Sequence, residues 1–235
     1  NKIWNASRYV IMNLGDMPAP VLPEKSKWDL ADRWILSRLN ATVKQVNAQF
    51  EKFEFGEAGR ALYNFIWNDF CDWYIEMTKE KLNNGTAEEQ ANTKNILGYV
   101  LDQILKLMHP IMPFVTEKLW QSMPHDGKSI MVAKYPVAHD EFDDDAATEQ
   151  MSHLIELITA VRNIRNQANA PMSKPVDLII KVENDHLAET FKANKDYIDR
   201  FCHPEKLIIG TDVETPKLAL SGILTGAEVD IPMAE

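Results

Sequence analysis

The segment WDLADRWILSRLNATVKQVNAQFEKF, residues 28–53, carries apolar residues at steps of three or four along its whole length. The members of this stripe are Trp28, Ala31, Ile35, Leu39, Val43, Val46, Phe50 and Phe53. Such spacing places every member on one face of an α-helix, so the pattern predicts a long amphipathic helix that packs against its neighbours. Ser26 or Asp29 is expected to cap its start.

Three further helical patterns follow at short intervals. Gly56 interrupts the first stripe, and a second pattern runs from residue 58 to 77 and ends at the Asn83-Asn84-Gly85 turn signal. A third runs from about residue 91 to 108 and stops at His109-Pro110, and Pro113 opens a fourth. Long amphipathic helices joined by short connections favour antiparallel neighbours. Residues 1–138 are therefore predicted to form an up-and-down helical bundle.

An acidic stretch separates this bundle from the rest of the chain. Asp140, Glu141, Asp143, Asp144 and Asp145 place five acids in six positions, and residues 139–146 are interpreted as a solvated linker. The formal net charge of −10 argues against an RNA partner, because lysine and arginine supply most non-specific affinity for phosphates. Since much of the excess lies in this stretch and the preceding region is nearly balanced, an RNA-binding face is permitted, although no basic stripe demands one.

Residues 147–235 differ from the bundle in pattern. A helix is predicted over about 147–166, a strand over 176–182, a helix over 188–201, and short strands at 207–209, 218–220 and 228–231. The fold class expected for the whole chain is thus mainly α, with a helical bundle followed by a small α+β module.

Several function classes are disfavoured by composition. No apolar run approaches the roughly 20 residues of a membrane span, so a soluble, globular, cytoplasmic protein without membrane contact is expected. Cys71 and Cys202 are far apart and lack the paired spacing of a metal site, which predicts neither zinc nor a disulfide. His109 is interpreted as a helix-end residue, and no nucleophile, metal site or phosphate loop supports a self-contained enzyme.

Four runs of residues, at 1–14, 30–39, 70–76 and 109–120, resemble valyl-tRNA synthetases in order and spacing. Pro110 and the Leu119-Trp120 pair are shared with the isoleucyl and leucyl enzymes and indicate only that group. The opening run and Cys71-Asp72-Trp73-Tyr74 point more narrowly to the valyl family. The chain begins without a methionine in what has the character of a helix interior, so a segment of a larger protein is expected.

The resemblance implies a tRNA-recognition, anticodon-binding segment without the catalytic chemistry. The two nucleotide-binding signatures of the family are absent from this chain, and Met172-Ser173-Lys174, a partial match to one of them, is interpreted as a loop leading into a strand. The editing pocket and the coiled-coil arm lie outside the segment as well. No cofactor or metal is therefore expected here, whereas the intact enzyme of this family uses ATP with magnesium to attach valine to its tRNA.

The expected partners are valine tRNA and the catalytic and editing domains of the same protein, with a monomer as the default state. Valine codons share their first two bases, so a reader of valine tRNA must require adenine and cytosine at the last two anticodon positions and tolerate any wobble base. Unstacked loop bases are recognised by aromatic faces and by polar groups at their edges.

Candidate tRNA contacts are placed by the resemblance at the distal end of the bundle. Lys44, Asn47 and Lys52 are candidate phosphate or base contacts at the end of the first long helix, and Tyr63, Asn64 and Trp67 extend along the next. For each one, a solvated face or ordinary packing is the competing interpretation. The loop 128–131 is a further candidate.

Near the start of the chain, Lys2, Asn5 and Arg8 either touch the inner elbow of the tRNA or dock against the catalytic domain. Other conspicuous side chains are assigned structural roles. Trp34, Trp73 and Trp120 are expected in the core. Asp69 and Asp72 are expected to pair with Arg33 or Arg38 of the neighbouring helix.

Two alternatives stay open. One is the equivalent domain of an isoleucyl- or leucyl-tRNA synthetase. The other is a helical protein-interaction module without RNA function, which the acidic pI of about 5.1 favours.

Overall fold

The helix that begins near residue 28 spans Leu30–Glu51 (α2) in the computed structural model, which describes residues 2–233. Asp29, not Ser26, is its N-cap. The Asp29 side chain accepts from the backbone N–H of Asp32, and the Asp32 side chain accepts from the backbone N–H of Asp29. This reciprocal capping box satisfies two amide groups that would otherwise lack partners at the start of the helix.

The remaining helices of the bundle confirm the predicted mainly α architecture. They are α1 (Lys2–Leu14), α3 (Phe55–Asn64), α4 (Ile75–Asn84), α5 (Ala87–Met108) and α6 (Pro113–Ser122). A π-helical segment, Phe65–Tyr74, joins α3 to α4, so residues 55–84 form one uninterrupted helical stretch. Thr86 caps α5, and Pro113 is the first residue of α6. Together with residues 123–148, these elements make one compact unit, and residues 149–233 make a second.

The turn between α2 and α3 corrects two expectations. Phe53 was predicted to continue the apolar stripe, but α2 ends at Glu51 and the Phe53 backbone has a φ of +60°. The chain folds back here through a hydrogen bond from the Glu54 N–H to the Gln49 carbonyl, 2.8 Å long. Gly56, predicted as the interruption, lies inside the first turn of α3.

The core of the first unit is centred on α5, which contacts α1, α2, α3, α4 and α6. The buried side chains on α5 include Ile96, Leu97, Val100, Leu101, Ile104, Leu105 and Leu107. Gly98 brings α5 close to the segment after α1, because a Cβ at this position would lie 2.5 Å from the Pro20 ring. Trp34 and Trp120 are buried as expected, whereas Trp73 is only half-buried.

The acidic stretch that was expected to be a solvated linker packs against α2. Phe142 is buried, with its ring 5.9 Å from that of Trp28. The Asn40 side chain donates to the His139 carbonyl and to the Asp143 carboxylate, and accepts from the His139 N–H. A buried aromatic ring and a buried amide therefore hold residues 139–143 within the first unit despite their charge.

The second unit contains most of α7 (Asp145–Gln167), which begins in the first unit, and a small mixed sheet. Its strands are β1 (Val176–Val182), β2 (Pro204–Gly210), β3 (Ala219–Leu224) and β4 (Ala227–Pro232), in the order β2-β1-β4-β3. β1 and β2 are parallel, and β4 is antiparallel to both β1 and β3. This confirms the predicted small α+β module.

The connection between the parallel strands corrects one helix prediction. Instead of a single helix over 188–201, α8 (Asp185–Ala193) and α9 (Lys195–Cys202) lie on either side of Asn194. The Asn194 amide donates to the Thr190 carbonyl, 2.8 Å away, at the end of α8. The loop containing Met172, Ser173 and Lys174 leads into β1, and the buried Arg165 donates to the carbonyls of Pro171 and Lys174.

Within residues 2–233, no helix is long and apolar enough to cross a membrane. Over the same residues, no group of three or more histidine, cysteine or acidic side chains is arranged to hold a metal ion.

Candidate nucleic-acid interface

The far end of the bundle carries a group of apolar side chains that we call the tip cluster, formed by Phe50, Phe53, Phe55, Ile111 and Tyr135. Helix α2 is about 33 Å long, so this end lies far from the Asp29 cap. The ring of Phe50 is 5.7 Å from that of Phe55 and 6.1 Å from that of Tyr135, measured between centroids. Phe53 and Phe55 meet edge to face at 6.2 Å.

Much of the tip cluster is open to solvent. The exposed fractions are 78% for Phe53, 59% for Phe55 and 48% for Ile111. Phe53 also adopts a positive φ, a conformation that is uncommon for a bulky residue and costs about 1 kcal/mol or more. Grouped exposed aromatic rings, one on a strained backbone, are typical of a binding surface.

Two adjacent pockets open at this surface. The first, the apolar pocket, has a volume of about 480 Å³ and is lined by Phe50, Phe55, Pro110, Ile111 and Tyr135. The second, the mixed pocket, has a volume of about 500 Å³ and is lined by Asn47, Phe50, Glu51, Tyr135, Pro136 and Val137. Because Phe50 and Tyr135 line both pockets, the two lie side by side with an aromatic pair between them.

Hydrogen bonds between helix residues and the segment 135–136 hold the pocket wall that Tyr135 and Pro136 contribute. The Tyr135 hydroxyl donates to the Leu107 carbonyl at the end of α5, 2.8 Å away. Burial raises the pKa of this phenol, so the hydroxyl stays protonated and keeps donating. The Asn47 amide nitrogen donates to the Pro136 carbonyl at 3.0 Å. The pocket wall is therefore fixed to both α2 and α5 before any ligand arrives.

The predicted cation Lys44 is already engaged. Its ammonium group lies 2.6 Å from the Asp143 carboxylate, and this hydrogen bond raises the pKa of Lys44 while it lowers the pKa of Asp143. A phosphate at Lys44 would have to compete with Asp143 and with the nearby charges of Asp140 and Asp145. Lys52, in contrast, is exposed in the turn after α2 and has no ion-pair partner within residues 2–233.

The remaining candidates on the second helix lie along its exposed side. The Tyr63 and Trp67 rings stack with centroids 4.3 Å apart and an interplanar angle of 16°, and Tyr63 is 51% exposed. Asn64 is exposed beside them. Trp67 belongs to the π-helical segment, a geometry that often marks functional sites. This stacked pair forms a second aromatic surface on the bundle.

On α1, Asn5 and Arg8 are exposed, while Lys2 forms a 2.5 Å ion pair with Asp72. That pair corrects the partner expected for Asp72. Of the two arginines proposed as its partners, Arg38 bonds to Asp69 at 3.0 Å and Arg33 lies 3.8 Å from Asp144. Burial raises the pKa of Asp69 and the Arg38 guanidinium opposes that rise. The Arg38–Asp69 pair therefore joins α2 to the π-helical segment.

The loop 128–131 is held to α6. Glu117 accepts from the Ile130 backbone N–H at 2.9 Å, Gln121 donates to the Lys128 carbonyl at 2.8 Å, and the Ile130 side chain is buried. Met131 in this loop and Val132 just after it remain 74% and 78% exposed. Two apolar side chains are thus exposed on a segment that hydrogen bonds fix to α6.

Sequence reasoning placed a distal tip at residues 47–55 and the start of the next helix, but it named none of the five tip-cluster residues as a tRNA contact. Phe50 and Phe53 were counted in the helix stripe, Phe55 only bounded the predicted tip, and Ile111 and Tyr135 were given no binding role. The sequence did contain one local signal. Phe53-Glu54-Phe55 places two aromatic residues at a break between helices, where the apolar stripe of the first helix ends and no longer predicts burial. Nothing in the sequence indicated that Tyr135, 80 residues after Phe55, would complete the tip cluster.

The fold and this surface together define a helical bundle that presents exposed aromatic rings at one end. A sequence model for the anticodon-binding domain of tRNA ligases matches residues 32–180, and the chain belongs to this family.

Relatives that match this chain from end to end show which tRNA ligases it resembles. Over its whole length, the chain is 68% identical to the valine–tRNA ligase of Lactiplantibacillus plantarum and 59% identical to that of Latilactobacillus sakei. It is 48% identical to the valine–tRNA ligase of Bacillus anthracis. The resemblance to valyl-tRNA synthetases is therefore confirmed. The chain spans 26–27% of the length of these relatives.

Proposed function

We propose that the first unit, called the helical unit from here on, is the anticodon-reading domain of a valine–tRNA ligase and that the tip cluster receives unstacked bases of the anticodon loop. The observation that carries this proposal is the group of exposed aromatic rings, Phe53 and Phe55 with Phe50 behind them, at the far end of a bundle that belongs to the anticodon-binding family.

The chemistry of loop RNA suits this surface. Bases in a loop can leave the stack and lie against aromatic faces, and each such contact is worth roughly 1–3 kcal/mol. The apolar pocket beside Phe55 supplies only hydrophobic and aromatic walls, which favour a base without selecting its identity.

Charge at the tip favours stacking over phosphate attraction as the source of affinity. Glu51, Glu54 and Glu57 surround the turn, and Arg60 is paired with Glu57 at 2.8 Å. Lys52 is the exposed cation of the turn itself. Because few phosphates are neutralised here, the contribution of the tip to binding should depend only weakly on salt concentration.

The activity of the whole protein is also part of the proposal, and the same relatives support it. The intact protein would be an ATP- and magnesium-dependent enzyme that attaches valine to its tRNA, with catalytic and editing domains outside this segment. It would act as a cytoplasmic monomer with valine tRNA as its partner. The valine–tRNA ligases named above favour this assignment over an isoleucyl or leucyl enzyme, and the family match favours RNA recognition over a protein-interaction module.

The test is a binding titration of the full-length protein with valine tRNA transcripts. The native transcript is compared with transcripts changed at the wobble, middle or last anticodon base. We expect the middle and last changes to weaken binding and the wobble change to leave it unaltered. Equal binding of all transcripts, or binding that depends on salt alone, would contradict an anticodon-reading role.

A variant tests whether the tip cluster itself contributes to tRNA binding. Phe53→Gly removes an exposed ring and relieves the positive φ, so we expect weaker binding of the native transcript together with unchanged or higher stability. Ile223→Ala, which truncates an 88% exposed side chain in the second unit, is the matched control and should bind normally. If Phe53→Gly also binds normally, the tip cluster is not the base-binding surface.

A further inference from the structure

The two pockets of the tip differ in the hydrogen-bonding groups that they offer. Side chains that line the apolar pocket have one polar atom among them, the Tyr135 hydroxyl, which donates to Leu107. The mixed pocket adds Asn47 and Glu51, which are four residues apart and therefore on the same face of α2. Only the mixed pocket can distinguish bases by their edges.

The polar side chains of the mixed pocket offer mainly acceptors. Because the Pro136 carbonyl can only accept, the Asn47 amide must turn its nitrogen toward it, which leaves Oδ1 as an acceptor and the second N–H of that nitrogen as a donor. Glu51 is exposed in the last turn of α2 and has no ion-pair partner within residues 2–233. An ionised carboxylate accepts hydrogen bonds and cannot donate them.

An acceptor of this kind discriminates between the two pyrimidine bases. Cytosine carries an exocyclic amine at C4, where uracil carries a carbonyl oxygen. A glutamate accepts from the amine and repels the carbonyl. It does not separate adenine from guanine in the same way, because guanine also offers N–H donors at N1 and N2. Valine tRNA must present cytosine at its last anticodon position, so it carries a base that this acceptor favours.

We infer that the mixed pocket selects the cytosine at the last anticodon position, with Glu51 accepting from its exocyclic amine and Asn47 bonding to another atom of its pairing edge. This rests on the proposed function and deepens it, because it assigns base selection to residues other than the stacking aromatics. The neighbouring apolar pocket, across the Phe50–Tyr135 pair, holds an adjacent base by stacking. Selectivity and affinity are thus separated between two pockets that share a wall.

The test compares full-length wild-type protein with Glu51→Gln and Glu54→Gln. Dissociation constants are measured for the native valine tRNA transcript and for transcripts in which the middle adenine is guanine or the last cytosine is uracil. Glutamine keeps the shape of Glu51 but can turn its amide to donate to a carbonyl. We expect wild-type protein to disfavour the transcript with uracil by about tenfold, and Glu51→Gln to reduce that ratio severalfold. The transcript with guanine tests the anticodon-reading role alone.

Glu54→Gln is the matched control, since it removes the same charge from the same turn at a residue that lines neither pocket. Any general gain in RNA affinity from the lost charge appears in both variants and cancels in the ratio. A ratio that is unchanged in Glu51→Gln, or reduced equally in both variants, would overturn the inference while leaving the anticodon-reading role intact. If wild-type protein binds all three transcripts equally, the proposed function fails and the inference fails with it.

Discussion

Replacing Asp32 by asparagine is expected to remove much of the pH dependence of the stability of the helical unit. Asp32 is 4% exposed, and it accepts from the Tyr74 hydroxyl at 2.7 Å and from the Asp29 backbone N–H at 3.0 Å. Burial, followed by the charge of Asp29, raises its pKa from 3.8 to about 7. The hydrogen bond from Tyr74 and the charge of Lys81 oppose this rise.

The sign and size of the effect follow from that shift. Between about pH 4 and pH 7 the folded protein holds a proton on Asp32 that the unfolded chain has lost, so stability falls as pH rises through this range. A shift of about 3 pKa units corresponds to roughly 4 kcal/mol, which is lost progressively toward pH 7 and stays lost above it. Asparagine does not ionise, but its single carbonyl oxygen cannot serve both donors. That mismatch costs about 1–3 kcal/mol at every pH.

The curves of unfolding free energy against pH for wild type and Asp32→Asn should therefore converge or cross. At about pH 5 the variant is expected to be less stable than wild type, and at about pH 8 it should be as stable or more stable. Urea unfolding at each pH, followed by tryptophan fluorescence, measures this directly. All six tryptophans, at positions 4, 28, 34, 67, 73 and 120, lie in the helical unit, so the signal reports on that unit alone.

Asp16→Asn provides the control, because it changes an exposed carboxylate just after α1. Its stability should follow the wild-type pH profile. If Asp32→Asn also runs parallel to wild type, within about 1 kcal/mol from pH 5 to pH 8, the buried carboxyl is not the source of the pH dependence and the reasoning is refuted.

Two further predictions concern packing in the same unit. Gly98→Ala gains about 1 kcal/mol of helix propensity but places a methyl 2.5 Å from the Pro20 ring, so urea unfolding should show a net loss of about 1–2 kcal/mol; a more stable variant would show that the contact relaxes freely. Asn40→Ala removes three hydrogen bonds to residues 139 and 143 and should cost about 2–3 kcal/mol. Hydrogen exchange of residues 139–143 should accelerate in that variant, and unchanged exchange would mean that Phe142 alone holds the segment.

The helices were predictable because their signals are local. The stripe from Trp28 to Phe50 records which face of α2 is apolar, and Asp29 stands where a cap is needed. The end of that helix was not predictable in the same way. Phe53 continues the spacing of the stripe, yet a turn with positive φ carries it into solvent. Periodicity describes a face only while the helix continues.

The sequence by itself determined the mainly α bundle, the small α+β module after it, and the membership in the anticodon-binding family. Periodic patterns and ordered motifs can be recognised without knowing any tertiary contact. Only the tertiary structure decided which side chains are available at the surface. Lys44 is occupied by Asp143, 99 residues away, and Tyr135 reaches Phe50 from a different part of the chain. Ion pairing and exposure at the end of a bundle depend on distant segments that meet only in the folded protein, and no spacing within a single helix records them.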